Sequence, residues 1–271
     1  MPAGKRLPAL NDAQFLELQS LVERASGVIL LSERRAVIAA RLARRLRHYK
    51  LATFSDYLLL LARPDQGVER QRVIELLVAK ETYFFREHPH FEFLAHWLAT
   101  KTGPVQLWSA ACASGEEAYS LAMVASEHAR NDNWHVLASD ISPDMLERTR
   151  HGIYDIAQAR YFPEGWLQRY CQWGIGEMAG RLQVQTSLRE RVSVRQINLI
   201  RPLPDDLGVF DVIVLRNLLS YFSQDDKQQV VQRLLTRLRP GGLLLIGHSE
   251  SIHGLDLPIR PILPSVFERL C

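Results

Sequence analysis

The stretch from Val105 to Asp140, VQLWSAACASGEEAYSLAMVASEHARNDNWHVLASD, constrains this chain more than any other part of it. An apolar run over 105–108 enters a loop of small residues, Ser109 to Gly115. A helix is expected over 116–128, then a second short apolar run, 135–138, that ends on Asp140. Strand, tight turn, helix, strand and acid in this order make the first half of a nucleotide-binding βαβ unit. The acid is placed to accept both hydroxyls of a ribose lying on the turn.

The glycines that are missing narrow the ligand. A pyrophosphate site needs close backbone approach, hence G-x-G-x-x-G. Here Ala110, Ala111, Cys112, Ala113 and Ser114 lead to Gly115 alone, and no G-x-x-x-x-G-K-[ST] occurs anywhere in the chain. Glu116 and Glu117 follow at once. Carboxylates suit a helix N-terminus, repel phosphate and favour a cation. A cationic nucleoside without phosphates describes S-adenosylmethionine. The plainer reading of the pair is an acidic first helical turn, and Asp140 argues against it.

A length of 271 residues allows one large or two modest domains, and 47% apolar residues suffice for a core. Cys112, Cys171 and Cys271 show neither paired spacing nor a metal-ligand pattern with nearby histidines, which suits a reducing compartment. With no signal-peptide pattern and no membrane-length apolar run, a soluble cytoplasmic protein without direct membrane insertion is expected. Net charge is only +3 but unevenly placed. Residues 33–50 carry Arg34, Arg35, Arg41, Arg44, Arg45, Arg47 and Lys50 against Glu33 alone, so the rest of the chain is net acidic.

Periodicity predicts an all-helical domain over 10–79. Asn11 or Asp12 caps its first helix, Gly27 stops it, and Ser32 caps the basic helix. Thr53 or Ser55 opens another helix, and a last one covers 68–78. From 80 to 271 strands and helices alternate. Strands are expected at 105–108, 136–139, 192–197, 210–215 and 243–247, the last after the turn Pro240-Gly241-Gly242, with an edge strand from 265–270. Further helices are expected at 143–150 and 225–238. This is a doubly wound α/β sheet, which binds ligands beyond the carboxyl ends of its strands. Asp140, Asn198, Arg216 and Asn217 all follow strands. Residues 167–191 interrupt the alternation and read as a small antiparallel hairpin insertion.

Five segments now carry a resemblance: ETYFFRE (81–87), WSAACASGEEAYS (108–120), ASDIS (138–142), FDVIVLRNLLSYF (210–222) and LRPGGLLLIGHSES (238–251). Together they resemble the CheR family of chemoreceptor glutamate methyltransferases over nearly the whole chain. The ETYFFRE variant is similar to the subgroup serving surface-sensing, WspC-type pathways. The resemblance implies a class I methyltransferase fold with S-adenosyl-L-methionine as cofactor and S-adenosyl-L-homocysteine as product. It implies that Thr82 and Arg86 lie over the cofactor, Glu117 binds its ammonium end, and Asp140 its ribose. It places Asn198 and Leu199 beside the adenine, Arg216 and Asn217 beside the reacting methyl, and Tyr221 at the acceptor site. Arg86 and Tyr221 are then the catalytic pair. The family often has Asn where this chain has Lys80, so Lys80 is given no role; His248 is given none either.

The chemistry fits a site without metal or general base. A glutamate carboxylate, with a pKa of about 4.3, is already ionised at neutral pH and can attack a sulfonium methyl in line. Positioning and exclusion of water are what remain for the protein to supply. The expected partner is the cytoplasmic domain of a methyl-accepting chemoreceptor. The basic helix would dock its glutamates through Arg34, Arg35, Arg44 and Arg45, unless those residues form an ordinary solvated face. In the family, a comparable β-subdomain can take a receptor-tail peptide as an added strand. Two alternatives stand beside this: a nucleic-acid methyltransferase, and a non-catalytic cofactor-binding scaffold. The first lacks an (Asp/Asn)-Pro-Pro-(Tyr/Phe) loop, reading Arg216-Asn217-Leu218-Leu219 instead, and lacks aromatics among its basic residues for base stacking, so no nucleic-acid partner is expected.

Overall fold

The structure, a computed structural model, describes residues 9–77 and 82–270. Lys80, Glu81, Cys271, the end of the helix expected at 68–78 and the junction expected at 79/80 lie outside the described residues. The chain divides into two compact units: the N-terminal helices with Tyr221–Ser223, and the sheet with its surrounding helices.

Among the described residues four α-helices build the first unit: α1 (Asp12–Ser26), α2 (Arg35–His48), α3 (Phe54–Ala62) and α4 (Gly67–Leu77). Asn11 opens α1 with a capping box. Its side chain takes the Gln14 N–H and Gln14 returns a bond to the Asn11 N–H, which satisfies two orphan donors. Gly27 ends α1 in the left-handed region, at φ 74°, where a side chain would be strained. Thr53 caps α3. Ser32 does not cap α2. Residues Ser32–Arg34 form a 3-10 turn that feeds straight into it, so the turn satisfies backbone groups that a cap would have taken.

Glu69 on α4 is a buried charge of this unit. Arg45 of α2 grips it with Nε at 2.8 Å and Nη2 at 2.5 Å, and Tyr57 and Tyr49 donate their hydroxyls to it. Burial alone would raise the Glu69 pKa, but these donors outweigh it and hold the carboxyl below its ordinary range. A buried charge is tolerated only when paired and hydrogen-bonded in this way.

In the second unit, α5 (His88–Leu98) precedes β1 (Val105–Ser109), α6 (Glu116–His128), β2 (Trp134–Asp140) and α7 (Pro143–His151). Then come β3 (Ile153–Asp155), α8 (Trp166–Tyr170), β4 (Cys171–Trp173), β5 (Arg181–Val184), α9 (Thr186–Arg189) and β6 (Val192–Gln196). Last are β7 (Phe210–Leu215), α10 (Gln224–Thr236), β8 (Leu238–Ile246), β9 (Ile259–Leu263) and β10 (Val266–Arg269). The main sheet has the order β6-β2-β1-β7-β8-β10-β9. Its first five strands run parallel, and β10 is antiparallel to both β8 and β9. The central strands are buried on both faces and read as continuous apolar runs, as parallel sheets require. Trp108 on β1 is fully buried and donates its indole N–H to Ser139 at 2.9 Å.

Two sequence expectations are corrected here. The strand at 266–269 is not the edge; it lies between β8 and an edge strand, β9, that the sequence reading missed. Pro258 and Pro261 hide β9 from a pattern search, and an edge position is where a strand tolerates proline. Pro240-Gly241-Gly242 is no turn before β8. The strand runs through it, with a register shift opposite Phe210 and Val212. Gly242 is required there, because a Cβ would stand 2.9 Å from the Asp211 carbonyl and 2.8 Å from that of Arg239.

The 167–191 insertion contributes two strands of a small antiparallel sheet, order β3-β5-β4. Its third strand, β3, comes from before the insertion and follows the left-handed Gly152 that ends α7.

Candidate functional site

Strand register assembles the site. Ser109 pairs with Ala138 and Val214, Asp140 with Gln196, and Leu215 with Ile246. The segments after β1, β2, β6, β7 and β8 therefore leave the sheet along one edge, its carboxyl edge.

The turn after β1 is pinned from beneath. The Ala110 N–H donates to the Val214 carbonyl, and the Cys112 N–H to that of Ser139. Tyr154 donates to the Ser114 carbonyl at 2.8 Å. Gly115 sits at φ 98° against the Thr149 side chain and the Tyr154 hydroxyl, which a Cβ would meet at 2.7–2.8 Å. Burial and the nearby Asp140 carboxylate push the Cys112 thiol well above its ordinary pKa, so it is no thiolate nucleophile.

Asp140 closes over this turn. Its carboxylate accepts the Ala113 N–H at 3.1 Å and the Ser142 N–H at 2.8 Å. It is half-buried. Glu117 is buried, accepting from the Ser109 hydroxyl at 2.6 Å and from Arg216 Nε at 2.8 Å. Glu116 is buried beside it with Ser114 donating to its carboxylate. Burial pushes its pKa up to about 7.

Arg216, directly after β7, is the hub. Besides Glu117 it holds the Arg86 carbonyl at 2.6 Å, lies 3.5 Å from Glu87 and 3.4 Å from His90 Nδ1, and covers the Phe91 ring. Asn217 donates from its side chain to Glu87 at 3.2 Å. Its backbone N–H and that of Gly247 both donate to Glu250 at 2.8 Å. Burial would raise the Glu87 pKa, but Arg216, Asn217 and the His248 backbone N–H hold the carboxyl below its usual range. His90 is held neutral, its pKa lowered to about 4 by burial and by the charges of Arg216 and His248. Phe85, Glu87, Ala113 and Asn217 all adopt positive φ, between 47° and 60°. Such conformations cost on the order of 1 kcal/mol or more each and concentrate where a site over-determines the backbone.

The other sequence-picked residues fall as follows. Thr82 and Arg86 are half-buried on the segment before α5, with Arg86 lying 5.8 Å from the Tyr83 ring, itself stacked on Tyr161. Phe84 and Phe85 are core aromatics. Asn198 and the buried Leu199 follow β6, where Asn198 accepts the Ile200 N–H. Tyr221 groups with the helical unit: its carbonyl accepts the Ile29 N–H, and its ring lies under Arg34. Arg34, in the turn before α2, and Arg44 on α2 are exposed, whereas Arg35 pairs with Asp12 at 2.5 Å and Arg45 turns inward to Glu69. Sequence reasoning gave no role to Glu87, His90 or Glu250, although two segments quoted for the resemblance, ETYFFRE and LRPGGLLLIGHSES, contain Glu87 and Glu250.

The donor set fits a cationic nucleoside. Asp140, Glu116 and Glu117 line the turn, and it offers no glycine cradle for phosphate. Comparison with known proteins settles the family. The profile of the CheR methyltransferase SAM-binding domain matches residues 80–262, and that of the CheR all-alpha domain matches residues 13–78. The chain belongs to the CheR methyltransferase family. It is 36% identical to the chemotaxis protein methyltransferase of Escherichia coli strain K12 over 250 residues, 92% of this chain and 87% of that one. It is 32% identical to chemotaxis protein methyltransferase 2 of Pseudomonas aeruginosa, covering 98% and 99% of the two chains. S-adenosylmethionine is thus the cofactor of this CheR domain, and the chain is a methyltransferase of the chemotaxis type. When bound, the cofactor supplies an electrophilic methyl; this chain's residues bind and orient it.

Glu116 gives the site a pH signature. Its pKa is raised when folded, so its stabilising contribution is complete below the unfolded value and is lost as pH rises through about 7. Stability of the cofactor-free protein should fall from pH 4.5 to 7.5 by on the order of 2–3 kcal/mol from this group. Glu116→Gln should remove that slope in thermal melts across the range. An unchanged slope would show that the carboxyl ionises normally.

Proposed function

We propose that this protein transfers the methyl of S-adenosylmethionine to glutamate side chains of a chemoreceptor's cytoplasmic domain, forming methyl esters. The observation that carries the reading is the carboxylate-lined, phosphate-averse turn held by Arg216 within a CheR domain. The nucleophile arrives ionised, so the site needs no base. Asp140 binds the ribose, Glu117 the ammonium, and Asn198 with Leu199 borders the adenine. Thr82, Arg216 and Asn217 surround the donor. Arg86 orients the acceptor carboxylate through its planar fork, and Tyr221 supplies a hydroxyl to it.

Incubation with methyl-labelled donor and receptor should place label on acidic side chains, and mild base should release it as methanol. Base-stable label would indicate N-methylation and overturn the reading. No transfer despite tight donor binding would favour a scaffold.

Docking of the acidic receptor is best supported at Arg34 and Arg44, because Arg35 and Arg45 already have carboxylate partners. Reversing Arg34 and Arg44 to Glu should raise the receptor KM about three- to ten-fold at low salt with donor affinity unchanged, and the effect should fade as salt rises. Unchanged steady-state kinetics on intact receptor would return α2 to a solvated face. The small sheet ends on β4, whose Trp173 is exposed, which supports addition of a receptor-tail strand there.

A further inference from the structure

Glu87, His90 and His248 come from two distant parts of the sequence, yet one donor atom from each lies within 4.8 Å of the others. The two histidine rings meet edge to face with centroids 4.5 Å apart. His90 is 3% exposed; its Nδ1 faces Arg216 and Glu87, while its buried Nε2 has no hydrogen-bond partner among the described residues. Leaving a buried imidazole nitrogen unpaired is unfavourable, and the methyl-transfer reading gives it nothing to do.

We propose that Glu87, His90 and His248 bind one borderline-soft divalent cation of the zinc class, which clamps the segment before α5 to the loop after β8. Two imidazoles and one carboxylate suit such an ion; magnesium and calcium prefer all-oxygen sets. Arg216 opposes a cation, but Glu87 and Glu117 both pair with it and offset its charge. Ligands 2.0–2.2 Å from a tetrahedral zinc stand about 3.4 Å apart, so the group must close slightly. His248 is exposed and is the ligand free to turn inward. The ion has no part in methyl transfer, so this site stands or falls apart from the function proposed above.

Cobalt(II) is the spectroscopic probe, titrated into the whole protein, with zinc displacing it. One ion per chain should bind and give visible d–d bands of a low-coordinate site. His248→Ala should weaken binding at least about ten-fold. His253→Ala, another exposed histidine, should leave it unchanged. His90→Asn should remove the bands, with a thermal melt and S-adenosylhomocysteine titration checking the fold. If that variant fails to fold, His248→Ala alone decides. No cobalt or zinc uptake, equal losses in His248→Ala and His253→Ala, or magnesium binding as tightly as zinc would each overturn the assignment.

Discussion

Arg216→Leu should lower the melting temperature by roughly 10 °C and remove methyl transfer. The guanidinium is 2% exposed and holds Glu117, the Arg86 carbonyl and the Glu87 side of the cluster together. Truncating it leaves Glu117 buried with, among the described residues, only the Ser109 hydroxyl. Removing one partner of a buried pair costs about 3–5 kcal/mol, chiefly because the other charge stays behind. In a unit of this size each kcal/mol is worth roughly 2–4 °C. The control is the double variant Arg216→Leu with Glu117→Leu, which should recover part of the loss, since no orphaned charge remains. Arg216→Leu melting within about 2 °C of the parent would show that the pair is solvated, and the account of the hub would fail.

That hub was only half legible in the sequence. Strand positions told that Asp140, Asn198, Arg216 and Asn217 share the carboxyl edge, because period and turn chemistry are local signals. The missing glycines and the Glu116–Glu117 pair pointed to the ligand's charge for the same reason. What Arg216 grips was not legible. Glu117 and Glu87 reach it only through register between strands and the path of the segment before α5. The inward turn of Arg45 was equally hidden. A basic helix advertises charge, but its helical face decides which guanidinium meets a buried Glu69 on α4. Edge order failed for a third reason: β9 and β10 are both short and Pro261 lies in one, so no local pattern says which pairs with β8.

The division of labour proposed for Arg86 and Asp140 gives the second large expected effect. Asp140→Asn should weaken S-adenosylhomocysteine binding by roughly a hundredfold. The ribose would lose charge-assisted acceptors worth about 1.5–3 kcal/mol each, and 1.4 kcal/mol is tenfold. The remaining amide oxygen still accepts one of the Ala113 and Ser142 N–H groups, so the turn keeps a tie. Arg86→Ala should instead lower kcat by about a hundredfold or more while leaving that affinity within about threefold, the signature of lost positioning at the reacting carboxylate. Its backbone carbonyl, the group Arg216 holds, survives the substitution, so the hub stays assembled. Calorimetry with S-adenosylhomocysteine separates the two. Equal loss of binding in both variants would place Arg86 on the donor and leave the acceptor carboxylate to another residue.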